Sequence, residues 1–476
     1  MESSIEGSLA RAVRGSVRSD PTALGPFRHD RSHLEGVPVA VVVPADADDV
    51  VSLVRWARRT RVPLIPRGGG TSLDGESVPS DGSVVVDLSS WNAVLEVDRG
   101  ELWARVGPGI VNLDLQAALR PYGVFFPPNP GSWTVATVGG NLGTNASGPR
   151  SFRYGPTRAW VRAVEAVLGT GERARFGTLV AKRSVGPDLL PLIVGSEGTL
   201  AIVTEIAVRL APLPARREGL VFPLPAGASL GAVARRLRQS TEAGLSAVEY
   251  MDRASAAVLA ERRTVEWPTG TALLLLELEA EDDRDAALRR ERLVGILRSV
   301  GVDRSPTVFA DADHLWTLRG ESSVALDERT GHRIREDVAV PLGRIDELLL
   351  RLEEIGRGAD APYYLFGHLG EGSFHPNYAC DPASPTGDRI RRAVLSAALA
   401  LGGTVSSEHG IGRLKVDFLE QELGPTAVDL LQGLKRRFDP DGILNPGKLY
   451  PPLPPREGGR PSPSLSGSGA ARTPGD

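Results

Sequence analysis

The sequence predicts an α+β protein with two main domains, and three observations lead to that class. Short β-branched runs alternate with segments of helical character over residues 37–214. After Pro212-Leu213-Pro214 the order changes, and strands recur with longer helices in two similar sets. A length of 476 residues, with 41% hydrophobic and 24% charged residues, is ordinary for a globular chain of two or three domains.

The first domain is placed at residues 37–214, after a loose or helical leader at residues 1–36. Acidic residues at 46–49 precede a helical stretch that runs to Arg59, and such residues cap the free N–H groups of a helix. Strands are predicted at Val39–Val43, Val62–Pro66, Val84–Leu88, Leu95–Val97, Trp103–Val106, Val161–Leu168 and Leu200–Leu210, with a second helix at Asn112–Leu119. Residues 123–155 are rich in turn formers, which favours a loop region.

The second domain, residues 215–429, is predicted as an antiparallel sheet covered by helices on one face. Its strands are Gly219–Phe222, Ala272–Glu279, Val338–Pro341 and Tyr363–Phe366, and its helices are Leu230–Ala243, Arg284–Val300, Ile345–Ile355 and Arg389–Ala400. A last helix at Leu430–Phe438 opens a C-terminal segment, residues 430–450. Residues 451–476 are rich in Pro, Gly and Ser, which predicts a disordered tail.

Composition excludes several classes of protein. The net charge of −4 gives no basis for binding nucleic acid or an anionic membrane surface. Cys380 is the only cysteine, which excludes an intrachain disulfide and an iron–sulfur cluster held by this chain alone. No apolar run of about 18 residues and no signal peptide are found. We expect a cytoplasmic location, with peripheral association with the inner membrane as the alternative.

A glycine-rich segment at residues 67–72, Arg-Gly-Gly-Gly-Thr-Ser, follows a predicted strand. Glycines let backbone N–H groups approach an anion closely, and the two hydroxyls add donors. The spacing is neither that of a Rossmann fingerprint nor that of a Walker loop. A surface turn would explain three glycines by themselves. Two further segments, residues 139–145 and 195–199, favour a nucleotide site with room for a flat ring system.

These segments resemble the FAD-binding signatures of the vanillyl-alcohol oxidase / p-cresol methylhydroxylase (PCMH) superfamily. The matching strings are PRGGGTSL at 66–73, ATVGG at 136–140, TNASG at 144–148 and GSEGTL at 195–200. The resemblance covers about residues 37–450 and is strongest to the branch of D-lactate dehydrogenase, D-2-hydroxyglutarate dehydrogenase and the flavoprotein of glycolate oxidase. It implies a PCMH-type FAD-binding domain with two subdomains. Covalent-flavin relatives carry histidine where this chain has Thr71, so we expect non-covalent FAD.

The resemblance also implies which residues hold the cofactor. The first glycine loop would bind the FAD pyrophosphate, and the later segments would bind ribose, adenine and isoalloxazine. The residues assigned in this way are Arg67, Gly68, Gly69, Gly70, Thr71, Ser72, Pro130, Thr137, Gly139, Gly140, Thr144, Asn145, Ser147, Gly195, Glu197, Gly198, Ile202, Val203 and Asn445.

Two of the seven histidines, His368 and His375, lie in Gly-His-Leu-Gly-Glu-Gly-Ser-Phe-His at residues 367–375. In a straight strand their side chains would point to opposite faces. A turn at residues 370–372 would bring the two imidazoles together, with Glu408 as a third, carboxylate ligand of a divalent metal. Two histidines satisfied within a core or loop are the alternative, but the sequence Glu408-His409 downstream favours the metal site.

Further roles come from the resemblance. His368, His375 and Glu408 would bind a divalent metal, commonly zinc, and His409 would be the catalytic base. Arg319 would bind the substrate carboxylate and act in catalysis, with Arg335 and Ser323 in the same pocket; a solvated surface charge is the alternative for either arginine.

The resemblance extends to further positions. Asn445 and Lys448 match a terminal signature that returns to the flavin and substrate. A helix C-terminal turn would by itself explain the Pro and Gly content there, but the presence of Lys448 in a chain with few lysines argues against that alternative. Glu371 stands where an acidic residue is usual and would support the site from behind. Ser373 replaces a more usual asparagine, which leaves the finer geometry of the site open.

The resulting hypothesis is an FAD-linked dehydrogenase that oxidises a D-2-hydroxy acid by hydride transfer to flavin N5. Electrons would leave to a separate acceptor such as an iron–sulfur protein, an electron-transfer flavoprotein or a quinone. The assembly could be a homodimer. Two rivals stay open: an alkyl-glycerone-phosphate synthase-like FAD transferase, and a flavin-free binding or scaffold protein.

Overall fold

A computed structural model describes residues 5–261, 268 and 270–451 of the chain, so almost all of the predicted tail lies outside the described residues. Its strands are β1 Ser16–Arg18, β2 Ala40–Val43, β3 Leu64–Arg67, β4 Val84–Asp87, β5 Val94–Asp98, β6 Trp103–Val106, β7 Val124–Phe125, β8 Val161–Leu168, β9 Arg173–Gly177, β10 Ala201–Arg209, β11 Ala211–Pro212, β12 Arg216–Pro223, β13 Leu245–Met251, β14 Leu273–Ala280, β15 Thr307–Phe309, β16 Ile334–Arg335, β17 Val338–Ala339, β18 Tyr363–His368 and β19 Ser373–Tyr378.

The helices, in chain order, are α1 Ile5–Ala12, α2 Pro21–Leu24, α3 Ala47–Thr60, α4 Asn112–Leu119, α5 Val138–Thr144, α6 Ser151–Tyr154, α7 Leu190–Ile193, α8 Leu230–Arg238, α9 Arg253–Ala260, α10 Asp283–Arg298, α11 Ala312–Thr330, α12 Ile345–Gly358, α13 Pro385–Ala400, α14 Leu419–Leu423 and α15 Pro425–Phe438. Among the described residues, no helix is both long and apolar enough to cross a membrane.

The first sheet has the order β1-β2-β4-β3, and all of its pairs are parallel except β1–β2. Helices α1 and α3 pack on one face and bury Leu9, Leu53 and Trp56. Asp46 caps α3 as predicted, because its carboxylate accepts the N–H groups of residues 48 and 49. The leader was predicted to be loose or helical. It forms helix α1, and its residues 16–18 also add a strand to this sheet.

The second sheet is antiparallel and has the order β5-β6-β10-β8-β9. Its core includes Val164 and Ile206 and is covered by α4, α5, α7 and α15. Val167 and Ile202 point from the same strands into the core of the first sheet. The two sheets thus pack together, as expected for an FAD-binding domain with two subdomains.

Helix α5 corrects the prediction of an irregular loop at residues 139–145. Thr137 caps it by accepting the N–H of Gly140 at 3.1 Å, and Val138 and Leu142 are buried beneath it. Glycine is a poor helix former, so three glycines in seven residues hid the helix in the sequence. Tertiary burial and the threonine cap stabilise it.

The third sheet is antiparallel, with the path β15-β12-β14-β13-β18-β19-β16 and with β17 paired to β19. Alternate residues separate its two faces. Leu276 and Phe374 belong to the apolar face, which packs against α8, α10, α12 and α13. Glu249, His368 and His375 lie on the opposite face. This second face carries most of the polar groups of the site.

The prediction that helices cover only one face of this sheet was wrong. Helices α9 and α11 pack on the opposite face, where Leu315 and Leu326 bury against Met251 and Leu275. Helix α11 was missed because the residues on its side away from the sheet line the cavity instead of facing solvent. Its sequence therefore lacks the amphipathic pattern of a surface helix.

The C-terminal segment returns to the first domain. Leu444 pairs with Leu64 of β3, and the N–H of Asn445 donates to the carbonyl of Leu64 at 2.8 Å. Lys435 is buried and donates to the carbonyl of Thr199 at 2.7 Å. These contacts close one end of the domain beside the glycine-rich loop.

Candidate active site

A cavity of about 870 Å³ separates the glycine-rich segments from the polar face of the third sheet. A volume of that order suits a large cofactor and a small substrate together. Helices α5 and α11 and the hairpin β18–β19 contribute to its walls. The predicted residues that line it are Arg67, Gly68, Gly69, Gly70, Thr71, Ser72, Pro130, Thr137, Gly139, Gly140, Thr144, Ser147, Glu197, Gly198, Val203, Arg319, Ser323, Arg335, His368, His375, Glu408 and His409.

Five predicted residues, Asn145, Gly195, Ile202, Asn445 and Lys448, lie outside the described lining of this cavity. The side chain of Ile202 is buried in the core because alternation along β10 turns it away from Val203, which does face the cavity. Asn145 caps α5 in a left-handed conformation, and its side chain accepts the N–H of residue 158 at 2.9 Å. These residues support the wall from behind.

The glycine loop is packed so closely that larger residues do not fit. A Cβ added at Gly68 would lie 2.1 Å from Oγ1 of Thr137, and one at Gly69 would lie 2.4 Å from the carbonyl oxygen of Val135. Gly70 has φ +62°, which favours glycine. The guanidinium of Arg67 donates to the carbonyls of residues 26, 29 and 77. Arg67 therefore fixes the loop.

Two cavity glycines face open space. A Cβ added at Gly143 of α5 or at Gly320 of α11 would meet no atom within 4 Å. Together with Gly68 and Gly69, these glycines give the cavity wall several positions without a side chain. A flat ring system with a phosphate-bearing tail, as in FAD, fits against such a wall.

The two histidines meet as the predicted turn requires. Residues 369–371 form a 3₁₀ turn between β18 and β19, and Gly372 has φ +73°. The Nε2 atoms of His368 and His375 lie 3.3 Å apart. The carboxylate oxygens of Glu408 lie 3.3 Å from Nε2 of His368 and 3.2 Å from Nε2 of His375. Donor atoms of all three residues lie within 4.8 Å of one another.

The carboxylates of Glu249 and Glu408 stabilise positive charge on the neighbouring imidazoles. Burial opposes a charge on His368, yet Glu249 and Glu408 raise its pKa well above the usual value. Burial also opposes a charge on Glu408, but the two imidazoles hold its pKa well below the usual value. A divalent metal between one carboxylate and two imidazoles would supply the same positive charge, so the residues fit a metal such as zinc.

Glu249 is a site residue that the sequence did not reveal. It is fully buried on β13, and its Oε1 is hydrogen-bonded to Nδ1 of His368 while its Oε2 accepts from Arg319 at 3.1 Å. Arg319 also lies over the ring of Phe366, 4.3 Å from the centroid. A single carboxylate thus orients a metal-ligand candidate and the predicted substrate arginine. Its signal was a lone acid in the apolar run of residues 245–251.

Asp337 holds the other side of the cluster. Its Oδ2 accepts three consecutive backbone N–H groups, from Ser407 at 2.9 Å and from Glu408 and His409 at 2.8 Å. The ring of His409 stacks on that of His375, with centroids 5.1 Å apart. Burial lowers the pKa of His409 to about 4. The imidazole is therefore neutral near pH 7 and can accept a proton.

Ser323 and Arg335 face the cavity from the C-terminal half of α11 and from β16. Arg335 is ion-paired with Asp327, and the hydroxyl of Ser323 accepts from Arg333 at 2.7 Å. Arg333 also donates to Oδ1 of Asn377. Arg335 is thus a second arginine, besides Arg319, in the lining of the cavity.

The remaining predicted residues take supporting positions. Ser147 donates to Glu408 at 2.9 Å, which joins the FAD-binding domain to the cluster of His368, His375 and Glu408. Glu371 accepts a hydrogen bond from Ser151, and burial raises its pKa. Ser373 is hydrogen-bonded to Ser407 at 2.6 Å. Lys448 donates to Oδ1 of Asn445 at 2.6 Å behind the cavity wall.

Comparison with known families matches both halves of the chain. Residues 38–177 match an FAD binding domain, and residues 213–449 match the C-terminal domain of FAD linked oxidases. The chain is 33% identical to the glycolate oxidase subunit GlcD of Bacillus subtilis, over 87% of this chain and 90% of that protein. It is 32% identical to a D-lactate dehydrogenase of Anaerostipes hadrus, over 89% and 92% of the two chains. A D-2-hydroxyglutarate dehydrogenase of Stutzerimonas stutzeri is 31% identical, over 92% and 96%.

Solved structures show the same fold at lower identity. p-Cresol methylhydroxylase superposes with a TM-score of 0.77 at 16% identity, over 93% of this chain and 97% of that chain. An alkyldihydroxyacetonephosphate synthase superposes with a TM-score of 0.72 at 19% identity, over 93% and 86%.

Proposed function

The chain belongs to the family of FAD-linked oxidases, and we propose that it is a dehydrogenase that oxidises a D-2-hydroxy acid to the 2-oxo acid. One observation carries this proposal: His368, His375, Glu408 and His409 line the same cavity as the glycine loop. The relatives named D-lactate dehydrogenase, D-2-hydroxyglutarate dehydrogenase and glycolate oxidase support this class of substrate.

The proposed cofactor set is non-covalent FAD and one divalent metal. Gly68 to Ser72 and Thr137 to Gly140 would hold FAD, which supplies the two-electron acceptor for the oxidation. His368, His375 and Glu408 would hold the metal, which supplies a positive charge for the substrate oxygens. Three protein ligands leave room for a substrate atom, as in catalytic metal sites.

The chain's own residues would bind and orient the substrate. Arg319, held by Glu249 at 3.1 Å, offers its guanidinium to the substrate carboxylate. Arg335 and Ser323 line the adjoining wall and would contact the substrate side chain. A carboxylate fixed at one end directs the hydroxyl toward the histidine cluster.

His409 would take the proton of the substrate hydroxyl. Its ring is neutral, stacks on His375, and is fixed through its backbone N–H by Asp337. A neutral imidazole is the usual general base near neutral pH. Asp337 holds the backbone of His409, and Glu249 holds His368 and Arg319.

Reoxidation requires a second protein or a diffusible acceptor. We propose an iron–sulfur protein, an electron-transfer flavoprotein or a quinone, without a preference among them. A homodimer, and a cytoplasmic location that is peripheral to the inner membrane if a quinone is used, stay predictions.

An anaerobic reduction experiment tests the proposed function. Purified protein is loaded with FAD and mixed, without oxygen, with D-lactate, glycolate or D-2-hydroxyglutarate. We expect one of these to abolish the yellow absorbance, and L-enantiomers to do so far more slowly. Failure of every 2-hydroxy acid to reduce the FAD would refute the dehydrogenase and favour a transferase with the same fold. A protein that cannot be loaded with FAD would refute both.

A further inference from the structure

Two buried carboxyl groups face each other at the cavity wall. Glu76 follows the glycine loop and Glu197 precedes β10; both line the cavity, with exposures of only 4% and 6%. A Cβ placed at Gly410 would lie 2.6 Å from Oε1 of Glu76 and 2.9 Å from Oε1 of Glu197. Both oxygens therefore border the same methyl-sized volume beside Gly410.

The two carboxyl groups differ in their hydrogen bonds. Glu197 is satisfied, because its oxygens accept the N–H of Ile411 at 2.7 Å and that of Gly412 at 3.0 Å. Oε2 of Glu76 accepts the N–H of Asp74 at 3.1 Å, but its Oε1 has no partner among residues 5–261, 268 and 270–451. A buried carboxylate oxygen without a donor, beside a second carboxylate, is strongly unfavourable.

The surrounding charges act in the same direction. Burial raises the pKa of Glu76 well above its usual value, and Glu197, Asp74 and Asp30 add to the effect. Lys448 is a nearby cation, and burial lowers its pKa to about 7. Of the acids, Asp74 is paired with Lys415 at 2.9 Å and Asp30 lies beside Arg67. Glu197 is therefore the acid that repels a charge on Glu76 most. A proton on Oε1 removes the repulsion and creates an O–H donor at the cavity wall.

We propose that Glu76 is an FAD-binding residue that acts as a neutral acid, and that its O–H donates to an acceptor atom of the flavin ring. Its neighbour Gly410 directly follows His409, so Glu76 lies at the end of the cavity where the ring must meet the substrate. That Glu76 contacts the flavin ring and not the phosphates of FAD rests on the proposed function. The unpaired state of Oε1 among the described residues does not rest on that function, and a proton on Oε1 creates the need for an acceptor.

The test compares two variants of Glu76 that differ in their ability to donate. Apoprotein is titrated with FAD at several pH values, and binding is followed by flavin fluorescence. Glu76→Gln keeps an N–H donor, so we expect FAD affinity within about threefold of the native protein near pH 7. Glu76→Ala loses the hydrogen bond and should bind about tenfold more weakly. Glu279→Gln removes another buried acid with a raised pKa away from the cavity, and should leave FAD affinity unchanged.

Protonation is tested separately. The native protein should lose FAD affinity as pH rises through the pKa of Glu76, by up to about tenfold per pH unit, whereas Glu76→Gln should not. The infrared carbonyl stretch of a neutral carboxylic acid should shift when FAD is added, and this shift should be absent from Glu76→Gln.

Two results would overturn the inference: equal FAD affinity in Glu76→Gln and Glu76→Ala, or an infrared shift that persists in Glu76→Gln. Either could occur while FAD binds and 2-hydroxy acids still reduce it, in which case the proposed function stands. If the native protein binds no FAD, both the proposed function and this inference fail.

Discussion

The bridge formed by Glu249 between His368 and Arg319 gives the sharpest prediction for mutagenesis. Replacement of Glu249 by glutamine preserves shape and leaves one oxygen acceptor. The other end becomes an NH₂ group, which faces either the ring N–H of His368 or the guanidinium of Arg319. Two donors then oppose each other in a fully buried place.

The cost follows from the bond that is lost. A hydrogen bond between charged partners contributes about 1.5–3 kcal/mol, which corresponds to roughly 10- to 100-fold in an equilibrium or rate ratio. Loss of a carboxylate that orients a metal-bound histidine typically has an effect of about the same size. We therefore expect Glu249→Gln to lower metal affinity and kcat/KM for the hydroxy acid by that factor. FAD content should not change, because Glu249 does not contact the glycine loop.

The assay combines chelator competition for metal affinity, steady-state kinetics under saturating acceptor, and FAD absorbance. Glu218→Gln is the matched control, since Glu218 is buried on β12 and paired with Arg290 at 2.7 Å but lies outside the cavity lining. A fall of less than threefold in both metal affinity and kcat/KM would refute the reasoning. A fall in metal affinity alone would refute the link to Arg319.

Three further predictions concern the metal, the cofactor loop and the pH dependence of stability. His375→Ala should lose most activity and become insensitive to chelators, whereas equal chelator sensitivity in variant and native protein would contradict the metal site. Gly68→Ala should weaken FAD binding about tenfold or more, since its Cβ would lie 2.1 Å from a threonine oxygen; Gly433→Ala, inside α15 with open space around it, should bind FAD normally and gain up to about 1 kcal/mol. Burial opposes a charge on Glu277, but Arg150, Arg217 and the hydroxyl of Ser246 together lower its pKa to about 2. These contacts as a group contribute on the order of 3 kcal/mol above pH 4.5 and lose it between pH 4.5 and 2. Thermal unfolding over that range should show the loss, and an Arg150→Met protein with the same acid profile as the native one would contradict it.

Local pattern was sufficient for much of the fold. Strands β6 and β8 and helix α4 coincide with the predicted ranges, because short runs of strand-forming or helix-forming residues can be recognised from a few neighbouring positions. The turn between His368 and His375 was also predictable. Its glycines permit the left-handed conformation that the hairpin needs at Gly372.

Other elements could not be predicted because the contacts that stabilise them come from residues distant in the sequence. Helix α5 is rich in glycine so that a ligand can approach its backbone, and burial against the second sheet stabilises it. Helix α11 lacks the amphipathic pattern of a surface helix. One of its sides packs on the third sheet and the other lines the cavity, so neither side is fully exposed to solvent. In both cases the tertiary environment overrides local propensity.

Residue type and spacing were enough to predict the groups of the candidate site, which are the glycine loop, the two histidines, and Glu408 with His409. How these groups are held follows from the tertiary structure. Glu249 was assigned no role because its partners are 119 and 70 residues away along the chain. Orientation depends on contacts between distant strands, and those contacts arise only when the sheets pack. The pairing of Glu76 with Glu197 has the same origin, since burial and proximity, not residue type, set the charge of a carboxyl group.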